Sequence, residues 1–470
     1  MPDRVGDLAL VLHSHMPYVE GFGTYPFGEE WLFDAVCRSY VPVLDAAERL
    51  TLTVTPVLAD QLEADGVPRR LREFVRSFRV GSAEADAADV EAELRPPCAA
   101  EAERYGAAQR RLEAVGDDLL ELFREPASAG RVELLASAAT HAVLPQLATT
   151  AGRRLQIDAG LRSHRRRFGE PAGFWLPECA YAPGLGRLLG ERGLRCFLTD
   201  QSAHERSLDA LAPVATGEGP VAFAIDWEAI GWLWSLDGYP SDALHADFHR
   251  KSWRGTRPWA IGGSPYKPEA AATRAREQAS EFAAAVGDRL RRYRAERGSP
   301  GLVVFAIDTE LLGHWWWEGP EWLAEVQRIA PAQGVELVTL SQALESHPAR
   351  ERELHPSSWG AGKDLRTWDS PVVADLAWAA RRLELRLLRE LRRPGGARGA
   401  AAERAARELL AVQSSDWAFL DSRRQAGDYP FARAIAHAEA MLDAIHSPAQ
   451  PQRGLRNLAP DLSLAPLSEP

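Results

Sequence analysis

Short, almost uninterrupted apolar runs recur along the chain, at residues 8–12, 52–57, 132–136, 173–176, 196–199, 221–225 and 302–307. Strands of a parallel sheet are covered on both faces, so such runs predict buried parallel strands rather than half-exposed ones. Helical stretches such as 185–192 lie between them, and the alternation points to an α/β barrel or a doubly wound sheet. Six of the runs end at a polar residue or run close to one: His13, His141, Glu178, Asp200, Asp226 and Asp308. In α/β barrels the reacting groups stand where strands end and loops begin, so this recurrence outlines a site before any motif is considered.

Residues 81–128 change texture. They are rich in Ala, Glu and Arg, with Arg95-Pro96-Pro97 as an interruption, and read as a helical insertion in a catalytic unit spanning 1–350. Helical periodicity returns over 351–447, broken at Pro394-Gly395-Gly396, and predicts a second, all-helical domain. From 448 to 470 the Pro, Gln and Ser content predicts a mobile tail.

Two segments deliver an acid from a strand. Phe174-Trp175-Leu176-Pro177-Glu178 places a carboxyl between aromatic residues and a proline, where it is desolvated and rigidly held; a helix-capping glutamate is the plainer alternative. The run ending in Ile307-Asp308 leads through Glu310 into His314-Trp315-Trp316-Trp317. Three adjacent tryptophans cannot all enter one core from one side, so at least one is expected over a groove, where an indole face suits the C–H-rich face of a sugar. Alternation puts Glu310 on the same side as Asp308 and makes it the competing acid. A barrel can bring Glu178 and Asp308 together. Carboxyls about 5–5.5 Å apart support double displacement with retention, and about 6.5–9.5 Å supports inversion. His13-Ser14-His15, with His141 as a third member, suits sugar hydroxyls or a metal equally well.

Charge and composition narrow the choice. The formal charge of -11, from 66 acidic and 55 basic residues, leaves no electrostatic footprint for nucleic acid or an anionic membrane. Four scattered cysteines form no CxxC pair and read as reduced thiols, the N-terminus lacks the pattern of a signal peptide, and no stretch is apolar for long enough to span a bilayer. The expectation is a cytoplasmic enzyme, monomeric, without nucleic-acid or membrane partners.

Taken together, His13-Ser14-His15-Met16-Pro17-Tyr18, Ala138-Ala139-Thr140-His141, Trp175-Leu176-Pro177-Glu178-Cys179 and Asp308-Thr309-Glu310-Leu311-Leu312-Gly313-His314-Trp315-Trp316 resemble the successive signature motifs of glycoside hydrolase family 57. Their order and spacing are similar to those of its 1,4-α-glucan branching enzymes, as are Pro356-Ser357-Ser358-Trp359-Gly360 and Gln413-Ser414-Ser415-Asp416-Trp417. The resemblance implies a (β/α)7 barrel with a helical insertion and a C-terminal helical domain that closes the cleft. It implies Glu178 as nucleophile, Asp308 as general acid and base, an α-1,4-glucan substrate, and no metal or other cofactor. His13, His15 and His141 then bind the donor glucose, with His314 and Trp315 also at the substrate. Trp31, Trp359 and Trp368 line the groove, Asp416 and Trp417 face the cleft, and Tyr239 in Leu236-Asp237-Gly238-Tyr239-Pro240 excludes water on the acceptor side. The plainer reading of Tyr239 is a turn residue before Pro240. The chain departs from the family pattern at Ile225-Asp226-Trp227 and in the apolar 229–234 segment, which bears on the acceptor side. Hydrolysis or 4-α-glucanotransfer, a metal-dependent polysaccharide deacetylase and a carbohydrate-binding protein with a dead site are the competing readings.

Overall fold

In a computed structural model, which describes residues 3–20, 23, 27–448 and 457–468, seven strands form the frame. They are β1 (Gly6–Ser14), β2 (Leu50–Val54), β3 (Val132–Ser137), β4 (Phe174–Trp175), β5 (Cys196–Thr199), β6 (Val221–Ala224) and β7 (Gly301–Asp308). These seven run parallel to one another in the order β6-β5-β4-β3-β2-β1-β7, and a short segment, Val214–Ala215, adds to β6 in the antiparallel sense. The two ends of this sheet meet where the Asp226 N–H donates to the Val304 carbonyl at 2.8 Å, so it curves into a (β/α)7 barrel with a single hydrogen bond at the seam. The apolar runs explain the strands: every residue of β1 is buried, as is all of β7 except Asp308 at its end. Register does the rest, because His13 of β1 pairs with Asp308 of β7 and with Thr53 of β2.

Residues 81–128 are helical, and the double proline after Arg95 lies in the first turn of the helix Arg95–Val115, where a missing N–H costs no hydrogen bond. Four C-terminal helices, Ala374–Arg392, Gly399–Val412, Ser415–Arg423 and Tyr429–His446, form the second helical region. Leu387, Leu409, Leu410 and Met441 pack with Leu155 and Ala159 of the barrel helix Thr150–Phe168, which fixes that region over the C-terminal ends of the strands.

The expected mobile tail needs correction. Residues 449–456 and 469–470 lie outside the described residues, but 457–468 pack on the barrel. Leu458 and Leu467 are buried, Asn457 Nδ2 donates to the Asp60 carbonyl at 2.6 Å, and the Ala459 N–H donates to Asp60 Oδ2 at 2.7 Å. Isolated leucines spaced among polar residues supply this anchoring, which bulk composition does not register. Among the described residues no helix is long and apolar enough to cross a membrane.

Gly160 shows how tightly the helix Thr150–Phe168 sits on the sheet. A Cβ there would lie 2.0 Å from the Ser137 carbonyl oxygen. Gly160→Ala is therefore expected to destabilise the fold by about 1–3 kcal/mol, the usual cost of overpacking, and so to lower the denaturant midpoint without changing the slope m.

Candidate active site

Glu178 follows β4 on a short turn, Pro177–Cys179, that holds it at φ 61° and ψ 20°. Left-handed backbone is costly for a residue with a Cβ, on the order of 1–3 kcal/mol, and Cys179 (φ 47°) and His141 (φ 58°) share it. The turn is tied from both sides: the Cys179 N–H donates to the Leu176 carbonyl at 2.8 Å, and the Trp359 N–H donates to the Glu178 carbonyl at 2.9 Å. Trp359 also donates its Nε1–H to Glu178 Oε2 at 2.7 Å. The Glu178 carboxyl is thus gripped by the segment that joins the barrel to the C-terminal helices.

The three histidines form one stack. His13 lies flat on Trp175, with ring centroids 4.5 Å apart, and its Nε2 meets His141 Nε2 at 2.8 Å. His141 stacks on His15 at 4.1 Å. Burial, then the neighbouring His15, holds His13 and His141 well below the ordinary histidine range, so both are neutral. Burial pulls His15 down as well, but the Asp416 charge and its hydrogen bond to His15 Nε2, at 2.9 Å, leave that imidazole raised. The other His15 nitrogen meets Thr55 Oγ1 at 3.1 Å, and His141 Nδ1 meets Ser415 Oγ at 2.9 Å. These nitrogens are spent on one another and on protein groups rather than converging on one point, and among the described residues no cluster of His, Cys, Asp and Glu is arranged to hold a metal.

Asp308 ends β7 and is half-buried, and among the described residues no hydrogen-bond donor reaches it. Burial raises it to about 6, with His15 opposing. Burial also raises Glu178 to about 7, against the hydrogen bonds from Trp359 and Ser415, and the Asp308 charge adds to the rise. The two carboxyls sense each other and titrate as a pair that holds one proton near neutral pH. Its place follows from the donors: Trp359 and Ser415 donate to Glu178 and stabilise its anion, whereas an Asp308 anion has the His15 charge but no hydrogen-bond donor among the described residues.

Glu310 is occupied elsewhere. Its Oε1 accepts from the Tyr40 hydroxyl and from the His15 N–H at 3.0 Å, and burial followed by the Asp308 charge raises it to about 8. It buttresses the His15 loop as a neutral acid, and its contacts leave it less free than Asp308 to exchange a proton.

The tryptophans divide. Trp359 is at the carboxylate. Trp315, 47% exposed, rests on Phe248 beside His314, while Trp316 is buried and Trp317 lies between the Arg38 and Arg104 guanidiniums. His314 is itself buried against Phe248, and burial lowers it to about 4. Trp31 sits edge-on to Phe27, which tilts on Tyr429 of the last helix. Trp368 and Trp417 offer no exposed face: Trp368 is buried with Val143, Val373 and Ala418, Trp417 is buried with its Nε1–H donating to the Ala411 carbonyl at 2.8 Å, and both border a small pocket beside Ser415. Sequence adjacency to Asp416 does not fix which face of a helix points inward. Tyr239 is not brought to the carboxylates; its buried ring stacks on Trp232 and borders an outer cavity that none of His13, Glu178 or Asp308 lines. Ser415 and Tyr40 carry no individual signal in the sequence, because a hydroxyl gains its role here only through a tertiary contact.

The family model of glycosyl hydrolase family 57 matches residues 9–355, and the model described as 1,4-alpha-glucan branching enzyme, C-terminal, matches residues 376–458. The chain belongs to glycosyl hydrolase family 57. A 1,4-alpha-glucan branching enzyme of Thermococcus kodakarensis is 32% identical over 92% of this chain and 72% of its own length. Among solved structures, the family 57 branching enzyme of Pyrococcus horikoshii superposes with a TM-score of 0.93 at 29% identity, covering 98% of this chain and 97% of that one. A family 57 branching enzyme of Thermococcus kodakaraensis, in complex with glucose and additives, gives 0.91 at 29% identity, covering 98% and 96%. The family 57 model thus spans the barrel, and the branching-enzyme C-terminal model spans the helices that follow it.

Proposed function

We propose that this protein is a 1,4-α-glucan branching enzyme, acting by double displacement with retention. The observation that carries the reading is likeness to branching enzymes through both the barrel and the C-terminal helices, with the paired carboxyls at their junction. The Glu178 carboxylate attacks the anomeric carbon of an α-1,4-linked glucose while Asp308 gives its proton to the departing 4-oxygen, leaving a β-glycosyl ester on Glu178. Asp308, now ionised, takes the proton of an acceptor 6-hydroxyl, whose oxygen attacks the same carbon and releases Glu178. The bond formed is α-1,6. Neutral His13 and His141 keep this part of the site uncharged, and His13 Nδ1, which has no partner among the described residues, is the ring nitrogen left for a hydroxyl of the donor glucose. The four cysteines are all buried and unpaired, which supports the reading of a cytoplasmic enzyme in a reducing compartment.

One observation favours a larger share of hydrolysis: Tyr239 is turned away from the cleft and offers the acceptor side no shield against water. Amylose incubated with the enzyme decides between them. New α-1,6 linkages counted by proton NMR are expected to outnumber new reducing ends; reducing ends without α-1,6 linkages would make it a hydrolase.

Trp359→Phe tests the grip on Glu178. It removes a hydrogen bond to a charged group, worth about 1.5–3 kcal/mol, so kcat is expected to fall about 10- to 100-fold. Because that bond lowers the Glu178 pKa, its loss moves the acid limb of the rate profile to higher pH.

A further inference from the structure

Outside the catalytic cleft, a cavity of about 710 Å³ opens between the helix Trp227–Trp234, the turn at Tyr239–Ser241 and the first half of the helix Pro268–Arg297. Its size falls within the roughly 300–1,000 Å³ typical of ligand pockets. Its position is informative. The helix Pro268–Arg297 has 30 residues, roughly 45 Å, and delivers the chain to the start of β7, whose eight residues span roughly 27 Å. Its opening turns, carrying Arg274 and Glu281, therefore stand at or above the level of Asp308, on the catalytic side of the barrel.

The lining is chemically specific. Trp232, 41% exposed, stacks on Tyr239 with ring centroids 5.7 Å apart, which leaves an aromatic platform open at the cavity wall. The Tyr239 side chain is only 6% exposed, yet its hydroxyl has no hydrogen-bond partner among the described residues. Opposite, Arg274 is pinned between Asp242 at 2.8 Å and Glu281 at 3.0 Å, and Gln278 Nε2 donates to Asp242 at 3.1 Å. Fixed carboxylates that accept, a guanidinium and an amide that donate, and an indole face for C–H groups together suit a ring carrying many hydroxyls. Glu228, Asp237, Asp242 and Glu281 against Arg274 alone give the lining an acidic balance that repels phosphate and other anions.

We propose that this cavity is a second carbohydrate-binding site, which holds a stretch of the α-glucan outside the catalytic cleft with a sugar ring on Trp232. The proposal rests on the α-glucan reading above. A polymer anchored at a second point near the cleft gains effective concentration there without any new contact to the reacting bond.

The test uses full-length Glu178→Gln protein, which keeps the cleft but cannot turn sugar over, titrated calorimetrically with maltoheptaose. Two sugars per chain are expected. Adding Trp232→Ala is expected to remove one of them, weakening it at least about tenfold. Trp232→Phe, which keeps a ring, is expected to retain both. Unfolding midpoints check that each variant is folded; if Trp232→Ala is not, Asp237→Ala at the exposed rim is read instead, with the second sugar weakened about threefold. One sugar per chain with Trp232 intact would overturn the second site and leave the catalytic reading standing. Two sugars that both survive the Trp232 and Asp237 substitutions would overturn its location. No sugar bound by any variant would overturn the α-glucan reading itself.

Discussion

Glu178→Gln abolishes branching and hydrolysis together, with kcat at least about a thousandfold lower, and leaves a protein that is more stable than the parent at alkaline pH. The first effect follows from the attack step: an amide oxygen forms no stable glycosyl ester, and no other acid can take over, since Glu310 is held by Tyr40 and the His15 N–H. The second follows from burial. The Glu178 carboxyl is raised to about 7 in the fold, against about 4.5 when the chain is unfolded. Above pH 7 it is ionised in both states, and the folded state carries an ionisation cost on the order of 3 kcal/mol. As pH falls through 7 the folded state takes up a proton before the unfolded chain does, and the cost disappears. The amide never ionises, so its advantage is expected at pH 8 and absent at pH 4. Denaturant midpoints at the two pH values, measured beside amylose turnover, check both halves.

Asp308→Asn is expected to cost about 10²- to 10⁴-fold with amylose, the usual contribution of a positioned proton donor. The loss should depend on the leaving group. An α-maltosyl fluoride needs no proton to depart, so formation of the glycosyl-enzyme from it should be nearly unimpaired, and the second half of the reaction, which needs Asp308 as base, should become limiting. A burst of fluoride followed by slow turnover is the signature. Equal loss with both donors would mean that Asp308 shapes the cleft rather than transferring protons. In the parent the two carboxyls titrate as one coupled pair over the range from about 6 to about 7, so kcat/KM should be bell-shaped with a narrow optimum in that range. A second proton on the pair quenches the nucleophile on the acid side, and loss of the last proton removes the acid on the alkaline side.

The barrel was legible because a parallel strand leaves a direct mark, a short apolar run that ends at a polar residue. His13, Glu178 and Asp308 each lie at or just beyond the C-terminal end of β1, β4 and β7, and the β1–β7 register alone puts His13 beside Asp308. What sequence could not supply was direction in the helical parts. Asp416 and Trp417 are neighbours, yet one reaches His15 and the other turns into the core, because adjacent helical positions differ by about 100° around the axis. Trp368 was lost for a related reason: a tryptophan suited to a sugar face suits a core equally well. Ser415 and Tyr40 became visible only once distant segments met. Tyr239 followed a loop position whose surroundings, the apolar 229–234 segment, fold here as a helix that draws its ring onto Trp232.

The most direct test of the account is to identify the residue that carries the sugar between its two bonds. The enzyme is incubated with a maltosyl fluoride whose sugar ring bears an added fluorine, so that the glycosyl-enzyme forms and then breaks down slowly, and the protein is digested and read by mass spectrometry. One glycosyl adduct is expected, on the peptide that contains Glu178, and it is absent after Glu178→Gln. An adduct on the peptide carrying Asp308 and Glu310, or a product of inverted configuration with no adduct at all, would contradict it.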